Sequence, residues 1–316
     1  MSRMRIVFCG TPQFAVPSLK HLIAQSDFEI VGVFTQPDRP KGRGHELAIS
    51  AVKETAISSG LPIHQPEKIK SPDAESILRA ATADVVVIIA YGQIVPARLL
   101  DIPKLGWINL HASLLPKYRG AAPINWAIAN GETRTGVTTM KIDAGMDTGG
   151  ALLQQELPIA PKETASELAA RLADAGGPLM IRTLRALADG SLAPKPQDAT
   201  DVSYAPLLKR EDGRIAWTRS ATEIYNRMRA FTPWPGSYTT FRGKVCHLSG
   251  EPAESAGPNE LPGTIVATPN DEVLIHCGSG SLLRLERVKL EGRNEVSAAE
   301  FARGAHLAGK ERFGQP

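Results

Sequence analysis

The sequence contains few of the residues that mark secreted or metal-binding proteins. Its 316 residues include only three cysteines, Cys9, Cys246 and Cys277. Their wide separation matches neither a disulfide framework nor the ligand spacing of a metal site, which is typical of a protein from a reducing cytoplasm. We therefore interpret all three as small core residues.

The sequence also lacks an apolar run long enough to cross a membrane, and its first ten residues have no apolar region of a secretory signal. The excess of positive charge is small, because 36 Lys and Arg against 33 Asp and Glu leave a net charge of +3. Any anionic partner must therefore be bound by a local basic patch. We expect a cytoplasmic globular protein, and its length and 42% hydrophobic residues suffice for two domains.

Several catalytic motifs are missing as well. The turn after the first strand-like segment, FCGTPQF, has only Gly10 where a dinucleotide site needs Gly-x-Gly-x-x-Gly, which disfavours a nicotinamide oxidoreductase. The sequence has no Gly-x-Ser-x-Gly elbow, no evident cysteine nucleophile and no His-Glu-x-x-His. Hydrolysis through a covalent intermediate or a zinc ion therefore has little support.

Residues 1–189 alternate short β-branched runs with helical patterns, such as RIVFC, PSLKHLIAQ and EIVGVFTQ. This alternation predicts an α/β domain with a mostly parallel sheet and helices on both faces. The run DVVVIIA has no polar gap, as expected for a central strand that is buried on both sides. Residues 164–190 have the pattern of a long amphipathic helix, which we expect to break at its internal Gly-Gly-Pro.

Residues 190–208 are rich in Pro, Ala and Asp and only weakly periodic, which predicts a linker. Residues 209–316 contain short strand-like runs at roughly even spacing, and we expect a small OB-like β-barrel domain. Its one predicted helix begins after Ser220, with Glu223 at the capping-box position. We interpret Trp234 as an anchor that packs the domains together.

The candidate site lies in the stretch GWINLHASLLPKYRGAAPI, residues 106–124. Two polar side chains, Asn109 and His111, interrupt its apolar strand just before the strand ends. Residues two apart in a strand point to the same face, so these two side chains act at one place. Ligands of open α/β sheets bind outside the carboxyl ends of the strands, and the pair lies at such an end.

A later loop, KIDAGMDTGG, contributes two carboxylates, Asp143 and Asp147. If this loop folds back over the sheet, one carboxylate can reach the imidazole of His111, fix its tautomer and stabilise its positive form. The same pattern also fits an Asx-turn that serves the loop alone. The spacing does not choose between these two interpretations.

An amide donor and an imidazolium directed at one point are what acyl transfer needs, because attack on a carbonyl develops an oxyanion that preorganised donors stabilise. Without an internal nucleophile, the sequence favours direct transfer to an external one. The start of the first helix, with Thr11 as N-cap and Pro12 at the first helical position, can receive a polar or anionic substrate group. It fits equally well a capped helix with no further role.

These motifs resemble the folate-dependent formyltransferases. NLHASLLPKYRGAAPINWAI followed by DAGMDTG is similar to the family signature, in which an Asn, a His two residues on and the second Asp of the loop are catalytic. The resemblance implies these roles for Asn109, His111 and Asp147 in a Rossmann-like domain. It also implies 10-formyltetrahydrofolate as co-substrate and no metal. The residues that it implies for cofactor contact are Ile89, Tyr91, Gln93, Ser113, Leu114, Leu115, Pro116 and Asp143.

GTPQFAVPSL, TQPDRPKGRG and RAFTPWPGSY, together with a second OB-like domain, are similar to family members that formylate the α-amine of methionyl-initiator tRNA. The resemblance implies that Phe14 lines the pocket for the methionyl side chain, near Gly10 and Thr11 at the helix start. It also implies that Arg43, in a basic loop suited to phosphate contact, touches the tRNA. A solvated basic loop is the alternative. A basic face on the second domain, a weaker signal, would comprise Arg210, Arg214, Arg227, Arg229, Arg242 and Lys244.

Other functions stay open from the sequence. The nearest is formyl transfer to the amine of a sugar nucleotide, because such enzymes share the N-terminal domain. A hydrolase that releases formate and an RNA-binding module with an inactive formyltransferase domain are further alternatives. We expect the protein to be a monomer.

Overall fold

The computed structural model divides the chain into two compact units and describes residues 3–41, 46–254, 260–268, 272–307 and 311–315. The segments of the first unit are Met1–Pro123, Arg134–Pro158 and Leu168–Pro206, and those of the second are Ile124–Thr133, Ile159–Glu167 and Leu207–Pro316. The predicted domain boundaries at residues 189 and 208 stay a prediction.

The first unit is built around one large sheet. Its strands in chain order are β1 (Met4–Gly10), β2 (Phe28–Phe34), β3 (Arg39–Lys41), β4 (Glu46–Ala48), β5 (Ile63–His64), β6 (Val85–Ile89), β7 (Trp107–His111), β8 (Arg134–Lys141) and β9 (Ala151–Pro158). All except the β3–β4 hairpin form a seven-stranded sheet with the order β5-β2-β1-β6-β7-β8-β9. The first five strands in this order, β5, β2, β1, β6 and β7, are parallel to their neighbours. Strand β8 is antiparallel to β7, and β9 is antiparallel to β8. The predicted mostly parallel sheet is confirmed.

Helices cover both faces of this sheet, as predicted. The helices of both units, within the described residues, are α1 (Val16–Ile23), α2 (Ala51–Ser58), α3 (Pro72–Ala80), α4 (Ala97–Leu100), α5 (Pro123–Ala129), α6 (Ala165–Ala188), α7 (Ala221–Ala230) and α8 (Ala298–Ala305); α7 and α8 belong to the second unit. On one face, β1, β6 and β7 form an apolar cluster with Leu78 of α3 and Leu99 of α4. On the other face, Leu110 of β7 lies against Gly176 of α6. Within the described ranges, no helix is both long and apolar enough to cross a membrane.

Helix α6 is continuous across the Gly-Gly-Pro sequence, so the predicted break is wrong. The two glycines lie where the helix closely approaches its neighbours. A Cβ on Gly176 would clash with Leu110, and one on Gly177 would clash with His21. Pro178 lies inside the helix and removes one backbone donor. Tertiary packing therefore outweighs the local preference of these residues against a helix.

The start of the first helix also differs from the prediction. Pro12 is the N-cap of a 3₁₀ turn, Gln13–Ala15, and α1 follows this turn. The Thr11 side chain caps neither element, because its Oγ1 donates to the Tyr91 carbonyl at 3.0 Å and accepts from the Gln36 N–H at 3.4 Å. The predicted N-cap role of Thr11 is therefore wrong. Its hydroxyl instead joins the end of β1 to the segments that follow β6 and β2.

The basic segment after β2 forms part of the β3–β4 hairpin, in which Arg39 is paired with Ala48. The Arg39 guanidinium lies 3.2 Å from the carboxylate of Glu67, and both side chains are exposed. Exposed ion pairs of this kind contribute little to stability, so Arg39 stays accessible to a partner. Arg43, the predicted tRNA contact, lies outside the described residues.

The second unit contains an antiparallel sheet. Its strands are β10 (Tyr238–Phe241), β11 (Lys244–Pro252), β12 (Ile265–Ala267), β13 (Val273–His276), β14 (Leu282–Leu290) and β15 (Val296–Ser297). The sheet order is β10-β11-β14-β13-β12, with β15 paired to β14. The described C-terminal residues connect its two outer strands: the Ile265 N–H donates to the Glu311 carbonyl, and the Gly314 N–H donates to the Thr240 carbonyl, both at 2.9 Å. They close the sheet, which confirms the predicted small β-barrel.

Helix α7 begins at the predicted capping box. The Ser220 N–H donates to Glu223 Oε2 at 2.9 Å, and the Glu223 N–H donates back to Ser220 Oγ at 3.3 Å. Helix α8, which lies near the C-terminal end of this unit, was not predicted, although Ser297 and Glu300 form the same capping box at its start. Trp234 is 55% exposed, and its interpretation as an anchor that packs the domains together stays a prediction.

Candidate active site

The candidate site lies at the carboxyl ends of three neighbouring parallel strands. Strands β1, β6 and β7 end at Gly10, Ile89 and His111, and the register pairs Gly10 with Ile89 and Ile88 with Asn109. Asn109 and His111 share the face of β7 on which Trp107 is buried in the apolar cluster. The polar pair therefore continues this face beyond the core, at the edge where ligands of such sheets bind.

His111 is buried, with 6% of its surface exposed, and both ring nitrogens face protein atoms. Its Nε2 lies 2.9 Å from the carbonyl oxygen of Tyr118, and its Nδ1 lies 3.6 Å from Oδ2 of Asp147. The prediction that a carboxylate from the β8–β9 loop reaches this imidazole is confirmed.

The two carboxylates of the β8–β9 loop have different environments. Asp147 Oδ2 accepts a hydrogen bond from the Gly120 N–H at 2.8 Å while it faces His111. Asp143 is exposed, and its Oδ1 accepts from the Gly145 N–H and from the Thr148 hydroxyl. Asp143 therefore forms the Asx-turn and Asp147 reaches the imidazole, a choice that the spacing left open.

Of Asn109 and His111, only Asn109 has a side chain that the described residues leave free to bind a ligand. It is half-buried, and its amide makes no hydrogen bond within the described part of the chain. A half-buried amide without a protein partner retains its donors for a ligand. Asn109 can therefore donate to an oxygen that lies outside the end of β7.

The segment that follows β7 is fixed by a threonine of the neighbouring strand. Thr138 of β8 is fully buried, and its hydroxyl donates to the Ser113 carbonyl at 2.6 Å and accepts from the Leu115 N–H at 3.1 Å. Gln154 of β9 donates to the Leu115 carbonyl at 2.7 Å. Sequence reasoning missed Thr138, although a polar residue in the apolar run GVTTMKI was a signal for it.

The side chains of this segment differ in exposure. The hydroxyl of Ser113 is buried and donates to the Lys117 carbonyl at 2.6 Å, and the Leu115 side chain is buried. Leu114 and Pro116 are half-buried. A ligand beside this segment would therefore meet Leu114, Pro116 and the main chain rather than the Ser113 hydroxyl.

The predicted cofactor residues near β6 include two core side chains. Ile89 is fully buried, and Tyr91 is 2% exposed within the apolar cluster, where burial raises the pKa of its phenol. The Tyr91 ring therefore does not line a surface cleft. The Gln93 Oε1 accepts from the Ile69 N–H at 2.6 Å, which holds the segment after β5.

The predicted acceptor-side residues cluster at the end of β1. Gly10 is buried, and a Cβ there would lie 2.8 Å from the Phe8 ring and 3.1 Å from the Ile89 carbonyl oxygen, so glycine is required for close packing. Thr11 follows it, and Phe14 is half-buried in the 3₁₀ turn. All three follow or end β1 at the edge of the sheet where β6 also ends.

Only some residues of the predicted basic face of the second unit are free to contact an anionic partner, because others already bind protein groups. Arg227 stacks over Phe231 at 4.8 Å, and buried Arg229 donates to the Glu163 carbonyl at 2.9 Å. Arg242 is exposed but pairs with Glu311 at 3.0 Å. The remaining exposed members of the set are Arg210, Arg214 and Lys244.

No group of three or more His, Cys, Asp or Glu side chains in the described residues could hold a metal ion. The candidate site instead offers an amide, an imidazole and a carboxylate, which is a set suited to acid–base and oxyanion chemistry.

Comparison with protein families gives two matches that follow one another along the chain. Residues 4–184 match the model of the formyl transferase family, and residues 207–306 match that of the formyl transferase C-terminal domain. The chain belongs to the formyl transferase family. It is therefore an enzyme that transfers formyl groups, as the sequence motifs indicated.

Relatives within the formyl transferase family are similar over nearly the whole chain. A methionyl-tRNA formyltransferase of Solibacter usitatus is 48% identical over 312 residues, which cover 99% of each chain. A protein of the same name from Koribacter versatilis is 48% identical over 315 residues, again 99% of each chain.

Solved formyl transferases share the fold at lower identity. A sugar 3N-formyl transferase, crystallised with dTDP and 5-N-formyl-THF, superposes with a TM-score of 0.64 at 19% identity over 93% of this chain and all of its own. Glycinamide ribonucleotide transformylase 1 from Symbiobacterium toebii has a TM-score of 0.52 at 19% identity over 62% of this chain and 95% of its own. These likenesses support the fold.

Proposed function

We propose that this chain transfers the formyl group of 10-formyltetrahydrofolate to the free α-amino group of methionyl-initiator tRNA, giving formylmethionyl-tRNA for translation initiation. The chain is 48% identical to two relatives named methionyl-tRNA formyltransferase over 99% of their length, and this similarity supports the acceptor. The single observation that carries the chemistry is that the Asp147 carboxylate meets the His111 imidazole beside the unengaged amide of Asn109.

The reaction begins when the amine nitrogen attacks the formyl carbon, and the carbonyl oxygen becomes an oxyanion. The amide of Asn109 donates to this oxygen. A fixed donor in a site shielded from water needs no reorganisation as the charge develops, and such a donor contributes about 3–4 kcal/mol in other acyl-transfer enzymes.

His111 acts in its doubly protonated form. Its Nε2 faces a carbonyl oxygen, which only accepts, and its Nδ1 faces the Asp147 carboxylate. A ring that carries a proton on each nitrogen satisfies both neighbours. Because both nitrogens are engaged by protein, His111 stabilises the oxyanion through its positive charge, while Asn109 supplies the direct hydrogen bond.

Asp147 stabilises the imidazolium and takes part in proton transfer. Its Oδ2 is held by the Gly120 N–H, whereas its Oδ1 makes no hydrogen bond within the described residues. The free oxygen accepts the proton of the attacking amine, directly or through water. When the bond between the formyl carbon and N10 breaks, N10 takes up a proton, so that tetrahydrofolate and the formamide leave without net consumption of protons.

The remaining site residues are assigned to binding. For 10-formyltetrahydrofolate, the contacts are Leu114, Pro116, Gln93 and Asp143, together with the main chain at Ile89, Tyr91, Ser113 and Leu115, whose side chains are buried. For the acceptor, they are Gly10, Thr11 and Phe14 at the methionyl end, and Arg43 along the tRNA. We assign the exposed arginines and lysine of the second unit to tRNA phosphates, because phosphate contacts supply most sequence-independent affinity.

Formylation of defined acceptors tests the function. The protein is incubated with 10-formyltetrahydrofolate and methionyl-initiator tRNA, uncharged tRNA, a dTDP-amino sugar or no acceptor. We expect formyl transfer to methionyl-tRNA only. Transfer to the amino sugar alone would overturn the acceptor while the formyl transferase assignment remains. Release of formate without an acceptor, in place of transfer, would indicate a hydrolase.

We place this reaction in the cytoplasm and propose that a monomer carries it out. The chain has a mass of 33.9 kDa. Light scattering after size-exclusion chromatography of the active protein measures the mass directly, and a dimer of twice this mass would contradict the monomer.

A further inference from the structure

We infer that Gln197 is a positioning residue for formyl transfer, which holds the loop that carries Asp147. Gln197 follows α6, in the segment 190–208 that the sequence predicts to be a linker. The inference rests on the proposed role of Asp147 in the reaction.

The side chain of Gln197 bridges two carbonyl groups of the β8–β9 loop. Its Nε2 donates to the Asp147 carbonyl at 2.8 Å and to the Gly149 carbonyl at 2.7 Å. The two acceptors flank Thr148, so one amide group fixes the main chain on both sides of that residue. The direction of the Asp147 side chain depends on this main chain.

Arg119 sets the orientation of the Gln197 amide. Its Nε and Nη2 donate to Gln197 Oε1 at 3.1 and 2.7 Å, and Arg119 is only 9% exposed. A guanidinium has donors and no acceptor, so the oxygen of the amide must face it. The NH₂ group therefore faces the loop, and both ends of the amide are satisfied.

The loop has a conformation that needs such support. Asp147 has a φ of +52°, which is the left-handed region that residues with a Cβ adopt at a cost of order 1–3 kcal/mol. Gly149 is so close to the Lys141 carbonyl that a Cβ would clash there. Strained main chain of this kind persists only where its surroundings determine it, and Gln197 supplies two of the hydrogen bonds.

Main-chain hydrogen bonds fix the segment around Gln197 on both sides. Before it, Lys195 and Ala151 exchange two hydrogen bonds of 2.8 Å. After it, the Arg119 N–H donates to the Ser203 carbonyl at 2.8 Å, and the Ala205 N–H donates to the Arg119 carbonyl at 2.7 Å. These hydrogen bonds hold the segment on both sides of Gln197 against the rest of the first unit.

Gln197→Glu separates the donor role from the role of packing. Glutamate keeps the shape and an acceptor for Arg119, but its second oxygen faces two carbonyl oxygens that it cannot hydrogen-bond. We expect kcat to fall roughly ten- to a hundredfold, as for a small misplacement of a catalytic group, while the KM values for folate and tRNA stay within about threefold. Lys195→Ala is the matched control, since it changes an exposed side chain two residues away, and its kcat should match the wild type.

A cycle with Asp147→Ala tests whether Gln197 acts through Asp147. Single-turnover rates are measured for Gln197→Glu in the wild-type and Asp147→Ala backgrounds, with melting temperatures of all variants. We expect the Gln197 substitution to add no further loss of rate once Asp147 is gone. An equal loss of rate from the Gln197 substitution in both backgrounds would overturn the inference, and so would a wild-type kcat in Gln197→Glu. In either case a low rate in Asp147→Ala would still support the proposed function. Normal turnover in Asp147→Ala would overturn both.

Discussion

The carboxylate of Asp147 lies 3.6 Å from the imidazole of His111, and both groups are held by the same short stretch of main chain. The Gly120 N–H donates to the carboxylate, and the Tyr118 carbonyl lies 2.9 Å from the other ring nitrogen. The geometry of the pair therefore depends on the segment after β7 as much as on the strand itself.

Asp147→Asn should separate the charge of this carboxylate from its structural hydrogen bond. The amide oxygen can still accept from the Gly120 N–H, so the loop keeps its anchor, but the negative charge beside His111 is lost. We expect kcat for formylation to fall by about 10²–10⁴-fold, the usual contribution of an acid–base group. Folate binding, measured by fluorescence or calorimetry, should change little. Turnover within threefold of the wild type would contradict the assignment.

Thr138→Val should weaken cofactor binding without touching any predicted catalytic residue. Valine matches the shape of threonine but leaves the Ser113 carbonyl and the Leu115 N–H without their partner. Each buried polar group left unsatisfied costs about 1–3 kcal/mol. We expect a lower melting temperature and a higher KM for 10-formyltetrahydrofolate.

Thr138→Ser is the matched control for this substitution, since it keeps the hydroxyl and removes only a methyl group. The KM for folate should stay near the wild-type value in the serine variant. Equal KM values in the valine and serine variants would mean that the hydroxyl does not position the segment.

The parts of the site that the sequence predicted are those encoded by neighbouring residues. Asn109 and His111 share a strand face because they are two residues apart, and the glycine-rich loop carried Asp147 within reach of the imidazole. Thr138 and Gln197 were missed because their partners lie far along the chain and no spacing links them. The spacing alone did not choose between Asp143 and Asp147; the resemblance to the family did, and the physical difference is which main-chain N–H groups surround each carboxylate.

In the fold, too, features encoded by neighbouring residues were predicted and features that depend on distant contacts were not. Buried β-branched runs and the capping box at Ser220 predicted their elements correctly, because each signal is local. The continuity of α6 was missed, since Gly176 and Gly177 favour a break until their close contacts with Leu110 and His21 are known. The exposure of Trp234 could not be read from its type, because a large aromatic residue is usually buried.

The three cysteines should not react in the native protein. Burial raises the pKa of the Cys246 and Cys277 thiols to about 12 and also raises that of Cys9. At pH 8 almost none of these thiols is ionised, and the thiolate is the reactive form. We expect a thiol reagent such as DTNB to modify none of them before unfolding and all three in denaturant. Rapid modification of any cysteine in the active enzyme would contradict this expectation.

Gly176→Ala should destabilise the first unit because α6 lies directly against the strand that carries the site. The added Cβ would clash with Leu110, which is only 3% exposed. Overpacking of this kind costs about 1–3 kcal/mol, despite the higher helix propensity of alanine. Since Leu110 lies between Asn109 and His111, a shift of β7 should also lower kcat. Gly304→Ala in α8 is the control, because a Cβ there meets nothing within 4 Å. It should raise the melting temperature slightly and leave kcat unchanged, and a similar gain in Gly176→Ala would show that α6 is not closely packed on the strand.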